Sequence, residues 1–362
     1  MAAWRHRTLI METLWYIVVT LMLALYVVLD GFDFGVGILY PVLGRSEADR
    51  DVMHAAIGPV WNGNEVWLIA AGAVLFLAFP KAYAAGFSGF YLALIIVLWL
   101  FMFRGLALEL RSHLDHPMWR QLCDVTFSGA SLLLAIVFGA ALGNLIRGVP
   151  LNREGYFFVA LWTDFLTGPA PGILDWFTVL MGLASATILA LHGANYLTMK
   201  TKGDLYARAV AAAKLMGWLA LGSTVLVWLG ITFVQPILRF NYTAHPVGYI
   251  LPVGGAIALV ATLVLRRRQR DVAAFMTSSL FILAMLGSVA WGCYPIILIA
   301  TTEPANSLTI FNAATGAYGL QAGAVWFVMG FVLIIAYQVY AHRVFWGKVP
   351  TTEQSADGMT HK

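Results

Sequence analysis

The sequence predicts an all-α polytopic membrane protein, and three observations indicate this class. Of the 362 residues, 60% are hydrophobic and only 11% are charged, whereas soluble domains carry about 25% charged residues. The mean hydropathy of the chain is +0.80. Apolar runs of about 20 residues, long enough to cross a hydrocarbon core of about 30 Å, recur from one end of the sequence to the other.

Nine such runs predict nine transmembrane helices. Their approximate ranges are 13–42, 54–79, 83–108, 121–146, 173–198, 209–236, 248–265, 272–300 and 318–344. The first run follows two arginines, as a signal peptide would, but it is too long and lacks a small-residue cleavage site. We therefore interpret it as a retained helix, and Met11 is an alternative start of the protein.

The distribution of basic residues predicts the orientation of the chain. Most of the 22 Lys and Arg residues follow spans one, three, five, seven and nine. The positive-inside rule then places the N-terminus outside and the C-terminus in the cytoplasm. Residues 1–348 would form a single integral membrane domain, and residues 349–362 a polar cytoplasmic tail. The outer connections 147–172 and 301–317 are longer than turns, and the run Arg266–Arg270 is predicted to anchor the chain at an anionic leaflet.

Net charge and cysteine content exclude other classes. The formal charge of +4 does not indicate a nucleic-acid partner, because the basic residues lie in short loops and not along one face. Cys123 and Cys293 form no CxxC motif, so neither a disulfide framework nor a thiolate metal site is predicted.

Two carboxylates interrupt the first apolar run. Asp30 and Asp33 are three residues apart and share one face of the predicted helix. An acid at the centre of a transmembrane helix costs about 2.5–3.5 kcal/mol on insertion scales, so these residues need a compensating role. Gly31 and Gly35 form a small-xxx-small pair, which predicts that a neighbouring helix approaches closely here.

The second and third runs contain further polar residues. Pro59 and Gly63 are predicted to distort the second helix. Just after Pro59, Trp61 and Glu65 lie one turn apart on one stripe, with Asn62 beside them. Asn64 in the same run, and Arg104 and Glu109 near the end of the third, are candidate ion-pair or supporting residues.

The clustering of these acids favours a proton route. Pairing of Asp30 or Asp33 with Arg104 would be a purely structural explanation, but one arginine cannot neutralise three carboxylates. Ionisable residues within a membrane typically mark ion or proton pathways. We expect a graded series, with Asp33 nearest the cytoplasm, Asp30 next and Glu65 deepest.

Two helix-end histidines, His54 and His192, are predicted to be structural. Neither lies in an H-x-x-H or H-E-x-x-H pattern, so no metal site is predicted.

Several stretches, taken together, resemble subunit II of the cytochrome bd-type quinol oxidases. The matching stretches are Asp30–Gly37, Gly58–Leu68, Ala85–Tyr91, Phe103–Arg111, Gly143–Asn144, Gly193–Thr201 and Ser307–Ala314. They follow the order of the family and cover nearly the whole chain.

The resemblance implies two four-helix bundles, at about 13–146 and 173–346, with a peripheral ninth helix in the second range. It also implies an obligate partner, subunit I, in a bacterial cytoplasmic membrane, with small accessory subunits possible. That complex oxidises quinol, reduces dioxygen to water and takes the protons from the cytoplasm. Its two b-type haems and one d-type haem are held by subunit I, so this chain is expected to ligate no cofactor, although some members bind a quinone.

Residue by residue, the resemblance assigns Asp33 and the segment 61–65 to the cytoplasmic proton route. The chain departs from the family at Asn62, where several members have Asp or Glu. Because an amide cannot release a proton, either Glu65 replaces the missing acid or the route is altered. Two alternatives stay open: a secondary transporter with an acidic site in the middle of the membrane, and a purely structural assembly subunit.

Overall fold

The computed structural model describes the backbone of residues 2–350 and the side chains of residues 10–350. The helices are α1 (Ala2–Leu43), α2 (Glu47–Ile57), α3 (Trp61–Ala78), α4 (Pro80–Gly89), α5 (Tyr91–Leu110), α6 (Pro117–Arg147), α7 (Trp176–Lys200), α8 (Gly203–Val234), α9 (Leu238–Ala244), α10 (Ile250–Arg267), α11 (Asp271–Cys293) and α12 (Ala317–Val344). Two short strands, β1 (Ile296–Leu298) and β2 (Leu308–Thr309), pair antiparallel, and the turns Pro246–Tyr249 and Pro304–Asn306 are 3₁₀ helices. The predicted tail beyond residue 350 lies outside the described residues.

Within residues 10–350, eight helices are long and apolar enough to cross a membrane, and the bent pair α2 and α3 would make a ninth span. The bend between α2 and α3 is 45° and falls at Gly58–Val60. Pro59 explains this position, because its ring and its missing N–H interrupt a helix. The predicted distortion is therefore present at Pro59, whereas Gly63 lies within the regular helix α3.

Two predicted spans have different boundaries in the structure. The span predicted at 83–108 is divided, because α4 ends at Gly89 and the transmembrane helix α5 begins only at Tyr91. The span predicted at 272–300 ends at Cys293. Pro295 comes two residues later, and Tyr294, the residue before this proline, is disfavoured in helical conformation.

Helix α1 lies at the centre of the packing. It contacts α3 and α6 on one side and α7 and α11 on the other. A Cβ atom built on Gly35 would lie 1.9 Å from the carbonyl oxygen of Leu189, so the close approach expected at this glycine is present, against α7. Helix α6 also packs on α7, so the helices within residues 13–146 share an interface with those within residues 173–346. The division into two four-helix bundles stays a prediction. Helix α12 is peripheral and contacts mainly α1 and α3.

The helices have two distinct ends. At the basic end, α1, α5, α7, α10 and α12 terminate in segments rich in Arg and Lys. At the opposite cap end, residues 148–175 and 294–316 cover the helices and are joined by a backbone bridge between Val149 and Ala300. Trp15, Phe79 and Phe157 belong to the apolar core beneath this cap.

Candidate functional site

A buried ion pair joins α1 to α5. The Arg104 guanidinium donates two hydrogen bonds to Asp30, with Nη2–Oδ1 and Nη1–Oδ2 distances of 2.6 and 3.2 Å. Both side chains are fully buried, and the guanidinium carbon lies 4.3 Å from the centre of the Phe34 ring. The bidentate geometry makes this a strong pair that fixes the rotation of the two helices.

The second acid of α1 has a neutral partner. The side-chain amide of Asn64 on α3 donates to Asp33 Oδ2 at 2.8 Å, and Gln338 on α12 donates to Asn64 Oδ1 at 2.7 Å. This chain of hydrogen bonds connects the peripheral helix α12 to the centre of the fold. Asp33 is fully buried and, among the described residues, has no salt-bridge partner.

Several buried polar atoms in this region have no hydrogen-bond partner within residues 10–350. They are Asp33 Oδ1, Arg104 Nε, Tyr26 Oη and Trp67 Nε1. Tyr26 lies one helical turn before Asp30 on the same face of α1. Buried polar groups in native proteins are nearly always paired with protein or with ordered water, so this cluster is a place suited to internal water molecules.

Glu65 faces a groove between α3 and α5. The groove has a volume of about 480 Å³ and is lined by Trp61, Asn62, Glu65 and apolar residues of both helices. Trp61 is buried, Glu65 is half-buried and Asn62 is exposed. Glu65 lies within electrostatic range of both Asp30 and Arg104. Glu65 therefore lines the groove and interacts electrostatically with the buried ion pair.

The three acids form one layer and not the expected graded series. Asn64 pairs with Asp33, and Glu65 is the next residue, so Glu65 lies about 1.5 Å along α3 from that level. Asp30 and Asp33 are separated by about 4.5 Å along α1, because each residue adds 1.5 Å. Glu65 is therefore no deeper than Asp30. We call Tyr26, Asp30, Asp33, Asn64, Glu65, Arg104 and Gln338 the acidic layer.

Glu109 is not part of the acidic layer. Its side chain is exposed, and the described residues offer it no salt-bridge partner. Glu109 follows Arg104 by five residues, which turns it to another face of α5.

A second charged cluster lies at the basic end. Asp124 is buried and accepts hydrogen bonds from Arg111 Nε at 2.6 Å and from the Tyr40 hydroxyl at 2.9 Å. Arg111 also pairs with Glu47 and Asp51 of α2, with N–O distances of 2.8 and 2.7 Å. These contacts attach α2 to the ends of α5 and α6.

A third cluster lies at the cap end. Arg147 contacts Asp175 Oδ2, and it donates to Asn144 Oδ1 at 2.6 Å and to the Gly172 carbonyl at 3.1 Å. The other Asp175 oxygen accepts the backbone N–H groups of Phe177 and Thr178 and so caps α7. We call Asn144, Arg147 and Asp175 the cap clamp.

His192 does not fit a haem ligand. Both ring nitrogens of His192 are occupied, with Ser278 Oγ at 2.7 Å and the Val28 carbonyl at 3.0 Å, and Phe275 stacks on the ring. His54 is half-buried and lies against the Tyr40 and Phe127 rings. No cluster of three metal-ligating side chains occurs in the part of the chain that the structure describes.

Sequence reasoning missed several residues of these clusters, among them Gln338, Tyr26 and Asp175. Gln338 was hidden by its distance in sequence, although an amide in an apolar helix is a signal. Tyr26 is a common residue type in membrane helices and carries no signal by itself. Asp175 precedes Thr178 in the spacing of a helix-capping box, which would have marked it as the start of α7.

Comparison with known proteins identifies similar chains. A family described as cytochrome bd terminal oxidase subunit II matches residues 11–345. The chain is 31% identical to a probable cytochrome oxidase subunit 2 of Haemophilus influenzae, over 93% of this chain and 94% of the relative. It is 30% identical to cytochrome bd-I ubiquinol oxidase subunit 2 of Escherichia coli K12, over 97% and 98%.

A solved structure has the same fold. A chain of the bd oxidase from Geobacillus thermodenitrificans matches with a TM-score of 0.74 at 20% identity. The match covers 92% of this chain and 98% of that one.

Proposed function

This chain belongs to the cytochrome bd terminal oxidase subunit II family and is part of a quinol oxidase, and from this premise we propose that it supplies the scaffold and a proton route to the complex. The complex oxidises quinol and reduces dioxygen to water. Taking the protons for water from the cytoplasm generates proton-motive force without pumping.

The excess of carboxyl groups over cations in the acidic layer carries this proposal. Asp30 is neutralised by Arg104, but Asp33 and Glu65 have no cation of their own among the described side chains. Ionised carboxylates without a partner are strongly disfavoured away from water. These two carboxyl groups therefore bind and release protons as the charge of the complex changes.

The chain's own atoms define a short transfer path. Asp33 Oδ2 is held by Asn64, which leaves Oδ1 free to exchange a proton with an internal water. Tyr26 Oη and Arg104 Nε are suited to orient that water. Glu65 then passes protons between the acidic layer and the groove between α3 and α5.

The basic end is proposed to face the cytoplasm, as the distribution of Lys and Arg predicts. Protons then enter past α2 and reach Asp33, the acid of α1 nearest to that end. Asn62 lines the groove but cannot release a proton, so Glu65 replaces the acid that is missing at position 62.

The groove is proposed to lie against subunit I. A half-buried carboxyl on an outward-facing transmembrane surface is costly in contact with lipid, and a partner helix would cover it. Trp61 and Glu65 would then meet the subunit that holds the two b-type haems and the d-type haem. His192 supports this assignment of the haems to the partner, because both of its ring nitrogens are engaged.

Substitution of the two unpaired acids tests the proposal. We expect Glu65→Gln and Asp33→Asn to lower quinol oxidase turnover and proton uptake by at least about tenfold, since proton transfer by a positioned group contributes 10²–10⁴-fold in enzymes. Assembly with subunit I and the haem spectrum should remain. Glu109→Gln is the matched control, because Glu109 is exposed and outside the acidic layer.

Normal turnover and proton uptake in both assembled variants would contradict the proton route. Loss of assembly without loss of activity per assembled complex would favour a purely structural subunit instead. The cap clamp supports that second function, because its contacts hold α6 to α7 and have no unpaired acid.

A further inference from the structure

The turn between α10 and α11 carries four arginines that divide into two kinds. Arg266 is buried, donates to Thr198 Oγ1 at 2.7 Å and contacts Asp271, so it is part of the helix packing. Arg267, Arg268 and Arg270 are exposed, and within residues 10–350 they have no salt-bridge partner. Helix packing therefore explains Arg266 but not the other three arginines.

An exposed tryptophan lies beside these free arginines. The Arg267 guanidinium carbon is 5.8 Å from the centre of the Trp218 ring on α8, within the range of a cation–π contact. Trp218 is 56% exposed, and Lys214 lies one turn before it on the same exposed face. Amphipathic tryptophans beside basic residues are typical of the level at which lipid headgroups lie.

The helices below this cluster present an apolar surface. A Cβ atom on Gly217 would lie 2.4 Å from Leu263, so α8 and α10 are in close contact there. The exposed hydrophobic side chains of α8 and α10 beside this cluster include Leu215, Leu219, Val260 and Val264. A ligand in this place would have an anionic head beside the arginines and hydrocarbon chains along the helices.

Nearby acids do not neutralise the cluster. Asp271 is engaged by Arg266 and by the hydroxyl of Tyr206 at 3.3 Å. Asp204 lies ten residues before Lys214 on α8, which is about 15 Å along the helix. Hence the three arginines and Lys214 keep a local positive charge that an anionic ligand could balance.

We propose that Lys214, Trp218, Arg267 and Arg268 form a binding site for one anionic phospholipid. The phosphate accepts hydrogen bonds from the guanidinium groups, Trp218 lies at the level of the glycerol backbone, and the acyl chains cover α8 and α10. Arg270, at the far end of the turn, adds long-range attraction. The site is on the second group of helices and is independent of the acidic layer.

Lipid titration of the intact complex tests this site. The delipidated complex is titrated with phosphatidylglycerol or phosphatidylcholine, and bound lipid is counted by native mass spectrometry. We expect one phosphatidylglycerol to bind in preference to phosphatidylcholine. Arg267→Gln and Arg268→Gln together should weaken it about 25-fold, at about fivefold per arginine. Trp218→Leu should also weaken binding while keeping the apolar surface.

Arg45→Gln together with Arg343→Gln is the matched control, since both arginines are exposed at the basic end. The control should leave the tight phosphatidylglycerol site unchanged. Equal binding of phosphatidylcholine, or an equal loss in the control, would overturn the proposal in favour of general surface charge. Displacement of phosphatidylglycerol by millimolar inorganic phosphate would overturn it in favour of a free-phosphate site.

Discussion

Two of the buried arginine–aspartate pairs among the described residues have the same chemistry and different surroundings. In the cap clamp, Arg147 donates from all three of its nitrogens, and both oxygens of Asp175 accept hydrogen bonds. In the acidic layer, Arg104 keeps an unpartnered Nε, and Asp33 and Glu65 lie within electrostatic range of the pair. The first pair is balanced and saturated, whereas the second has more acids than cations.

On the proposed function, this difference separates a structural pair from a site suited to exchange protons. In a saturated pair the hydrogen-bonding groups are already occupied, so neither a proton nor a water molecule stabilises it further. Such a pair serves to hold helices together. An unsaturated pair with surplus carboxyl groups has vacant hydrogen-bonding capacity and a charge that a proton can balance. Burial of a charge alone does not distinguish the two cases.

The largest effect is expected on breaking the cap clamp. Asp175→Asn should lower the stability of the assembled complex by about 3–5 kcal/mol, because Arg147 would then be buried without a counter-charge. Thermal unfolding of the purified complex and its yield measure this effect. Arg153→Gln at the same end, an exposed arginine, is the control. A stability change no larger than that of the control would show that the clamp is not structural.

A smaller loss is expected when the pair of the acidic layer is broken. Asp30→Asn should cost about 1–3 kcal/mol, since Asp33 and Glu65 remain near enough to balance Arg104. The same unfolding experiment compares it directly with Asp175→Asn. If Asp30→Asn were as damaging as Asp175→Asn, the surplus acids would not compensate and the contrast between the two pairs would fail.

The sequence alone predicts the composition of the acidic layer better than its geometry. Span counting recovered the membrane helices because each is a long apolar run, and Pro59 marked the bend between α2 and α3. The division of the third span was not predicted, since the run 83–108 was taken as one helix, whereas the backbone leaves the helical conformation at Phe90. Gln338 could not be assigned to Asn64, because contacts between distant helices depend on helix rotation, which the sequence does not specify.

For the acids too, the sequence predicts their number but not their positions relative to one another. Their surplus over Arg104 could be counted in the sequence, which also allows pairing of Asp30 or Asp33 with Arg104. The order of the acids in depth could not be predicted, because the expected series assumed that Glu65 lies deep along a continuous second span. The bend at Pro59 shortens that distance and brings Asn64 to the level of Asp33.

Removal of the unpartnered hydroxyl should separate stability from function. Tyr26→Phe is expected to change the free energy of unfolding by less than about 1 kcal/mol, because the Tyr26 hydroxyl lies near the Asp30 carboxylate without a well-formed hydrogen bond to it. Turnover should nevertheless fall severalfold, with a larger solvent isotope effect, since a water loses its partner. Tyr83→Phe on α4 is the control. Unchanged turnover and isotope effect would remove Tyr26 from the route.

The smallest effect on stability is expected for a gain of acid in the groove. Asn62→Asp should leave the assembled complex intact, because Asn62 is exposed and the described residues give it no hydrogen bond to lose. In the Glu65→Gln background it should restore part of the turnover, since both residues line the same groove. Asn62→Ala in that background is the control. Absence of any rescue would show that the position of the acid, and not only its presence, is required.

Proton uptake by the two kinds of variant tests the central claim most directly. The complex is reconstituted in liposomes, and proton uptake during turnover is measured per assembled, haem-containing complex for Asp33→Asn and Asp175→Asn. The acidic layer predicts that uptake is lost with Asp33→Asn and retained in whatever fraction of Asp175→Asn assembles. Equal uptake in the two variants, whether both normal or both reduced, would contradict the distinction between a proton-exchanging layer and a structural clamp.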